Sequence, residues 1–372
     1  MRSSWRLGKI LGVEVNIDPS WLVIFALITF TLGGSYFPRQ YPSWSSGMHW
    51  LIGLVTSFLF FGSVLAHELT HSLVAIRQGE KVRNITLFIF GGVAQITEEP
   101  DRPAKEFTMA IAGPLSSLMI AAFFAIWWLV FQTTSQPLAA LGRYLAMINA
   151  ILAVFNMVPG FPLDGGRVLR AIVWGMTGNL KKATRVASLT GQGVAFLLIF
   201  IGLRQIFAGL FVNGLWLIFI GWFLHSAAVR GYHHVLMREM LRGLRAEDLM
   251  TKDFETVAGD LSLQDLVEDH ILGRHRHTFV VTDAGRLEGM VGLGDIKKVA
   301  REQWASTTIR QAMTPREELE IIAPDDDGNI ILQRLSEKDV GQLPVVENER
   351  VIGILQRGNI LRRLRTRTEL GI

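Results

Sequence analysis

Residues 61–79 read FGSVLAHELTHSLVAIRQG, with two histidines and a glutamate inside five positions of a run otherwise apolar enough for a membrane helix. On a helix, positions i and i+4 share a face. His67 and His71 can therefore reach one ion, while Glu68, about 100° around the axis, stands beside it where it can hold a water. A charged group deep in a membrane helix costs roughly 2.5–3.5 kcal/mol on insertion scales, so ionisable residues at that depth are read as functional. The pattern suits a zinc hydrolase. The competing reading is a polar triad that only packs helices together.

The rest of the chain supports membrane depth. Of 372 residues, 49% are hydrophobic and only 19% charged, and the mean hydropathy is +0.31, which disfavours a wholly soluble protein. Long apolar runs fall at about 20–37, 49–77, 106–131, 138–158, 187–207 and 212–229, each near or above the roughly 18 residues needed for a crossing. This gives about six transmembrane helices. Basic residues gather after the second run (Lys81, Arg83, Arg102, Lys105) and after the fourth (Arg167, Arg170, Lys181, Lys182, Arg185). The positive-inside rule then puts the N-terminus, these loops and the C-terminal part in the cytosol of a multi-pass protein of the cell (inner) membrane. The net charge of +4 and pI near 9.5 follow from such flanking residues, and with no basic and aromatic surface motif, nucleic acid is not an expected partner. The N-terminal stretch carries no small-residue cleavage site and reads as uncleaved.

No cysteine is present, so a metal here takes nitrogen and oxygen ligands. Catalytic zinc usually has three protein ligands and one open position. Residues 149–167, NAILAVFNMVPGFPLDGGR, offer Asp164 after Pro159 and Pro162 and before Gly165 and Gly166. Broken backbone at membrane depth is tolerated where it lines a water-filled cavity, and Asp164 is the expected third ligand. A helix-capping role is its alternative. Between the second and third crossings, KVRNITLFIFGGVAQITEE is too short to span, is rich in β-branched and aromatic residues, and is interrupted by Gly91 and Gly92. It reads as a membrane-edge β-hairpin over 82–97, whose open edge an extended peptide would satisfy; a buried loop strand without function is the alternative.

HELTH, AGPLSS and FNMVPGFPLDGGR together resemble the site-2 protease family of intramembrane zinc metalloproteases, over roughly residues 1–230. The resemblance implies peptide-bond hydrolysis within the bilayer, one zinc held by His67, His71 and Asp164, and Glu68 as general base. It also implies an asparagine near the scissile carbonyl, matched by Asn156, and a substrate strand laid on the hairpin at Gly91, Gly92 and Val93. The substrate would be a membrane-spanning protein whose cleavage releases a regulator, such as an anti-sigma or pro-sigma factor. One departure is plain: many members read GPxxN in the third crossing, where this chain has Ser116 and Ser117 after Gly113, Pro114 and Leu115.

From about residue 246 a plan of roughly 60 residues repeats, with LMT and AMT openings and strand, turn, strand, helix endings in register. It resembles a tandem pair of CBS domains. The expected division is a transmembrane domain over 1–232, a linker over 233–245, and CBS domains over 246–303 and 304–366. The resemblance implies either an adenine nucleotide, with Asp295 on its ribose, or a structural module that makes a homodimer. At the matching places Gly292 replaces Thr or Ser, and the second copy has Gln356 and Asn359. His270, His275 and His277, alternating with Arg274 and Arg276, read as an exposed basic loop. His225, His233 and His234 read as interfacial residues. A CBS-bearing transporter or channel, or a non-proteolytic scaffold, is the rival class; against the transporter, the HExxH and LDG elements have no counterpart in another half.

Overall fold

Val13 and Val15 alternate with Glu14 and start the chain as a sheet before any membrane helix forms. The computed structural model describes residues 4–89, 91–96, 100–241, 243–273, 278–337, 341–356, 358–360 and 362. Strand β1, Trp5–Ile10, turns at Leu11 and Gly12, both at positive φ, into β2, Val13–Ile17. That two-residue turn matches the twist of an antiparallel pair. β2 runs parallel to β3, Val82–Phe88, which pairs antiparallel with β4, Gly91–Ile96. The sheet order is β1-β2-β3-β4. The sequence reading leaves out β1 and β2 and gives an extended peptide as one partner that would satisfy the hairpin. β3 is paired on both sides within the chain, by β2 and β4, and β4 ends the sheet order with its outer edge unpaired among the described residues.

Among the described residues six helices are long and apolar enough to cross a membrane: α1, Pro19–Gln40; α2, Ser46–Arg77; α3, Pro103–Phe131; α4, Gln136–Asn156; α6, Leu180–Phe207; and α7, Phe211–Leu241. A shorter helix, α5, Asp164–Thr177, lies between the fourth and fifth of these. α1 starts where Asp18 accepts the amide N–H of Ser20 at 2.9 Å and Pro19 occupies the first turn, two local signals that agree. With 32 residues, α2 is about 48 Å long at 1.5 Å per residue, more than the hydrocarbon core needs. Its second half carries the sheet: Val13 and Ile85 pack on Leu69, with Leu65, Val82 and Ala94 around them. α6 and α7 approach backbone to backbone, since a Cβ on Gly202 would lie 2.7 Å from the carbonyl oxygen of Gly214.

The chain divides into two compact units, residues 1–235 and 236–372. In the segment read as a linker, α7 stays helical to Leu241, because no helix breaker precedes Gly243, which has positive φ. The second unit contains a sheet ordered β5-β6-β7-β8, made of Thr256–Ala258, Thr278–Asp283, Arg286–Gly292 and Thr314–Pro315, and a hairpin of β9, Gln342–Glu347, with β10, Arg350–Gln356. Two of its cores do not follow the sequence repeat. Ala246, Leu249 and Met250, at the head of the first copy, are buried among Ile322, Ile331, Leu343, Val345 and Leu355 of the second. Ile309, at the head of the second, is buried with Phe279, Val281 and Val291 of the first, and Met313 packs against them. The exchange is symmetric: Thr251 bridges Ile354, and Thr314 pairs with Met290. Of the histidine cluster near residue 275, His275 and His277 lie outside the described residues, while His270 Nδ1 pairs with Glu255 Oε1 at 2.7 Å.

Candidate metal centre

Two elements converge on one point. α2 brings His67 and His71 to the same face, and α5 brings Asp164 in its first turn. Asp164 Oδ2 lies 3.1 Å from His67 Nε2 and 3.2 Å from His71 Nε2, and the two Nε2 atoms are 3.2 Å apart. Both histidines are buried, and the Asp164 side chain is nearly so. A tetrahedral zinc with ligands at about 2.0–2.1 Å sets its ligand atoms about 3.3 Å apart, close to this triangle.

Proton accounting makes the same point. His71 Nδ1 is 2.7 Å from the Met109 carbonyl oxygen, which can only accept, so the ring donates there and its Nε2 carries a lone pair. That lone pair faces a carboxylate oxygen and a second imidazole nitrogen. A cation between the three atoms would satisfy that lone pair and the carboxylate together. The donor set, two imidazoles and a carboxylate, is one that zinc takes.

The supports around the ligands come from α3. Ser117 Oγ lies 2.9 Å from His67 Nδ1, so the position where GPxxN has its asparagine holds a serine that orients the His67 ring. Gly113 lies directly over the triad: a Cβ there would be 2.7 Å from His67 Nε2 and still closer to His71 Nε2. Sequence reasoning missed Ser117 and the Met109 carbonyl. The AGPLSS motif marked the right turn of α3, but a backbone acceptor leaves no trace in residue identity.

The loop before Asp164 is fixed by backbone contacts. The Phe161 amide donates to the Ala187 carbonyl of α6 at 3.1 Å, and Gly191 lets α6 touch the Phe161 carbonyl. Gly165 and Gly166 pack without side chains against the backbone of 157–161, which is why the aspartate is followed by two glycines. Behind it, Arg170 donates from Nε to the fully buried Glu106 at 2.6 Å and covers the ring of Phe161 at 5.1 Å.

Of the remaining expected site residues, Glu68 is half-buried beside the triad, and Gly92 of β4 lies against it, an added Cβ falling 3.1 Å from Glu68 Cδ. Gly91 lies next to Val64, and Val93 is exposed. Asn156 ends α4, half-buried, with no side-chain hydrogen bond among the described residues. Asp295 is in the other unit and already engaged: Oδ2 accepts the Gly292 amide at 3.1 Å, and Oδ1 binds Lys298 Nζ at 2.8 Å. The lysine's pKa is raised by that carboxylate.

A helical membrane bundle that gathers two histidines, an aspartate and an adjacent glutamate around one cation-sized gap belongs to the membrane-embedded metallohydrolases. The model of peptidase family M50 matches residues 55–142 and 131–200, and the CBS-domain model matches 246–302 and 309–366. A protein of Synechocystis sp. named as a zinc metalloprotease, sll0528, is 35% identical over 98% of this chain and 97% of its own. The Mycobacterium tuberculosis protein named as zinc metalloprotease Rip3 is 32% identical over 97% and 93%. A solved site-2 protease from Methanocaldococcus jannaschii is 29% identical, covering 62% of this chain and 95% of that one, with a TM-score of 0.44. The chain belongs to peptidase family M50, the site-2 protease family, and carries a CBS pair after its membrane part.

Proposed function

We propose that the protein cuts peptide bonds of membrane-spanning proteins inside the bilayer, with His67, His71 and Asp164 holding one zinc ion. The convergence of three ligand atoms, at separations a tetrahedral ion requires, carries this reading. When bound, zinc supplies a Lewis acid for the scissile carbonyl and acidifies the water it holds. Glu68 takes the proton of the attacking water and returns it to the leaving amine. Asn156, whose amide has no other partner among the described residues, donates to the oxygen that gains charge.

The open edge of β4 is the proposed seat of the substrate, which adds there as a further strand. Gly91, Gly92 and Val93 are its contact residues, and Gly92 keeps the strand close above Glu68. An extended segment is also what a protease needs, because a helical peptide bond is shielded by its own ladder. The distribution of Lys and Arg supports a cytosolic N-terminus and a cytosolic CBS pair.

For the CBS pair, an adenine nucleotide that modulates proteolysis is the proposed ligand, held through Asp295 after Lys298 lets go. Homodimerisation through this module is a second proposal, checked by light scattering of the purified protein.

The test compares wild type with Glu68→Gln in detergent, for zinc content and for cleavage of transmembrane reporters. Stoichiometric zinc in both, with cleavage in wild type alone, is expected. Absence of zinc from wild type purified without chelators would overturn the reading. Adenosine monophosphate added to both wild type and Asp295→Ala then tests the tail, a thermal shift being expected in wild type only.

A further inference from the structure

A cavity of about 500 Å³ lies between α5 and α7, lined by Phe161, Arg167, Arg170, Ala227, Arg230 and Gly231. Its volume is within the range of small-ligand sites. Three guanidinium groups border it, and its lining includes no carboxylate. Glu106, fully buried beneath, takes both Arg170 and, at 3.9 Å, Arg167 on its Oε1, and Arg167 also interacts with the charge of Glu68. Arg230 is exposed and has no ion-pair partner among the described residues. Three positive charges therefore border a single space whose lining holds no negative one, an arrangement that an entering anion relieves. Arginine is the side chain best shaped for a tetrahedral oxyanion, which it holds by two parallel hydrogen bonds.

The elements that make the cavity also limit its occupant. Ala227 and Gly231, one turn apart on α7, present almost no side chain, and a Cβ on Gly231 would meet nothing within 4 Å. Phe161 supplies an apolar wall, itself covered by Arg170. An oxyanion on the arginines with an apolar portion against the wall fits this lining. Basic pockets between transmembrane helices take phospholipid headgroups by this chemistry.

We propose that this cavity binds a phosphate group, carried either by an anionic phospholipid or by a soluble phosphate compound. Arg167 and Arg170 lie three and six positions after Asp164 on α5, so the occupant holds the same helix that carries the expected metal ligand. Binding is read without proteolysis and stands or falls apart from the protease reading.

The experiment uses the full chain, delipidated in maltoside detergent, with native mass spectrometry and thermal melting as readouts. Phosphatidylglycerol, a galactosyl diacylglycerol without phosphate, and inorganic phosphate are titrated separately. Two variants accompany wild type: Arg230→Gln, which removes one exposed charge, and Gly231→Leu, which fills the cavity and leaves all three arginines. Phosphatidylglycerol is expected to bind and raise the melting temperature while the galactolipid does not. Apparent affinity should fall about tenfold in Arg230→Gln, the scale of one lost charged contact, and fall in Gly231→Leu as well. A response to inorganic phosphate with the same dependence on the variants supports the site and identifies a soluble source; a response to phosphatidylglycerol alone identifies the lipid. No response to either, or equal responses in wild type and both variants, would overturn the proposal.

Discussion

Gly113→Ala adds one methyl group at the point where the metal centre has no room for it. The new Cβ would lie 2.7 Å from His67 Nε2 and 2.6 Å from His71 Cε1. Carbon contacts settle at about 3.5–4.0 Å, so the rings or α3 must retreat by about 1 Å. Neither ring is free to do so. His71 is tied to the Met109 carbonyl, one turn before Gly113 on the same face of α3, and His67 to Ser117 one turn beyond it. Retreat of the rings breaks those hydrogen bonds, and retreat of α3 carries them away from the triad. Zinc ligands tolerate about 0.2 Å of displacement, and loss of an orienting partner typically weakens metal affinity by about 10–100-fold. That corresponds to about 1.4–2.8 kcal/mol. The assay is competition for zinc against a chromophoric chelator, with the melting temperature of the metal-free protein as the measure of folding. Gly62→Ala is the internal control, since its Cβ meets nothing within 4 Å and a helical glycine gains up to about 1 kcal/mol on becoming alanine. If Gly113→Ala binds zinc within about threefold of wild type, the idea that α3 forms a rigid roof over the site is wrong.

Ser117→Ala, which removes the partner of His67 Nδ1, should weaken zinc by about tenfold in the same competition assay and leave melting of the metal-free protein nearly unchanged. Arg170→Met alone leaves Glu106 buried without its main partner and should destabilise the membrane unit by about 3–5 kcal/mol, whereas adding Glu106→Leu should restore most of that loss in thermal melting. Gly289→Val and Gly353→Val each drive a branched side chain into a methionine, Met313 and Met250 respectively. Each should cost the CBS unit about 1–3 kcal/mol by denaturant titration, with equal penalties for the two, if the exchange between repeats is symmetric.

The histidine pair and the spans were legible because periodicity alone carries them: i and i+4 define a face, and a long apolar run defines a crossing. Asp164 was legible because prolines and glycines announce broken backbone. The N-terminal strands were not, although Val13, Val15 and Ile17 alternate with Glu14 and Asn16. The stretch is short, and its burial comes from a parallel partner about 70 residues away, which no local pattern encodes. Ser117 was visible only as a departure from the expected asparagine, since a hydroxyl gains meaning from the ring it faces. The repeat in the tail was plain, but repetition does not say which copy closes which core. That depended on where Met250 and Met313 found their glycines.

The exchange of opening segments in the second unit sets a rule for how that unit can fail. A chain cut between the copies, near residue 304, would yield two pieces, each lacking the segment that seals its own interior and each carrying a plug meant for the other. Neither piece is a smaller version of the whole. Loosening of either half therefore uncovers the other, and a disturbance felt by one copy is shared by both at once. A module of this construction unfolds as a single body, with no partly folded form that leaves one copy intact.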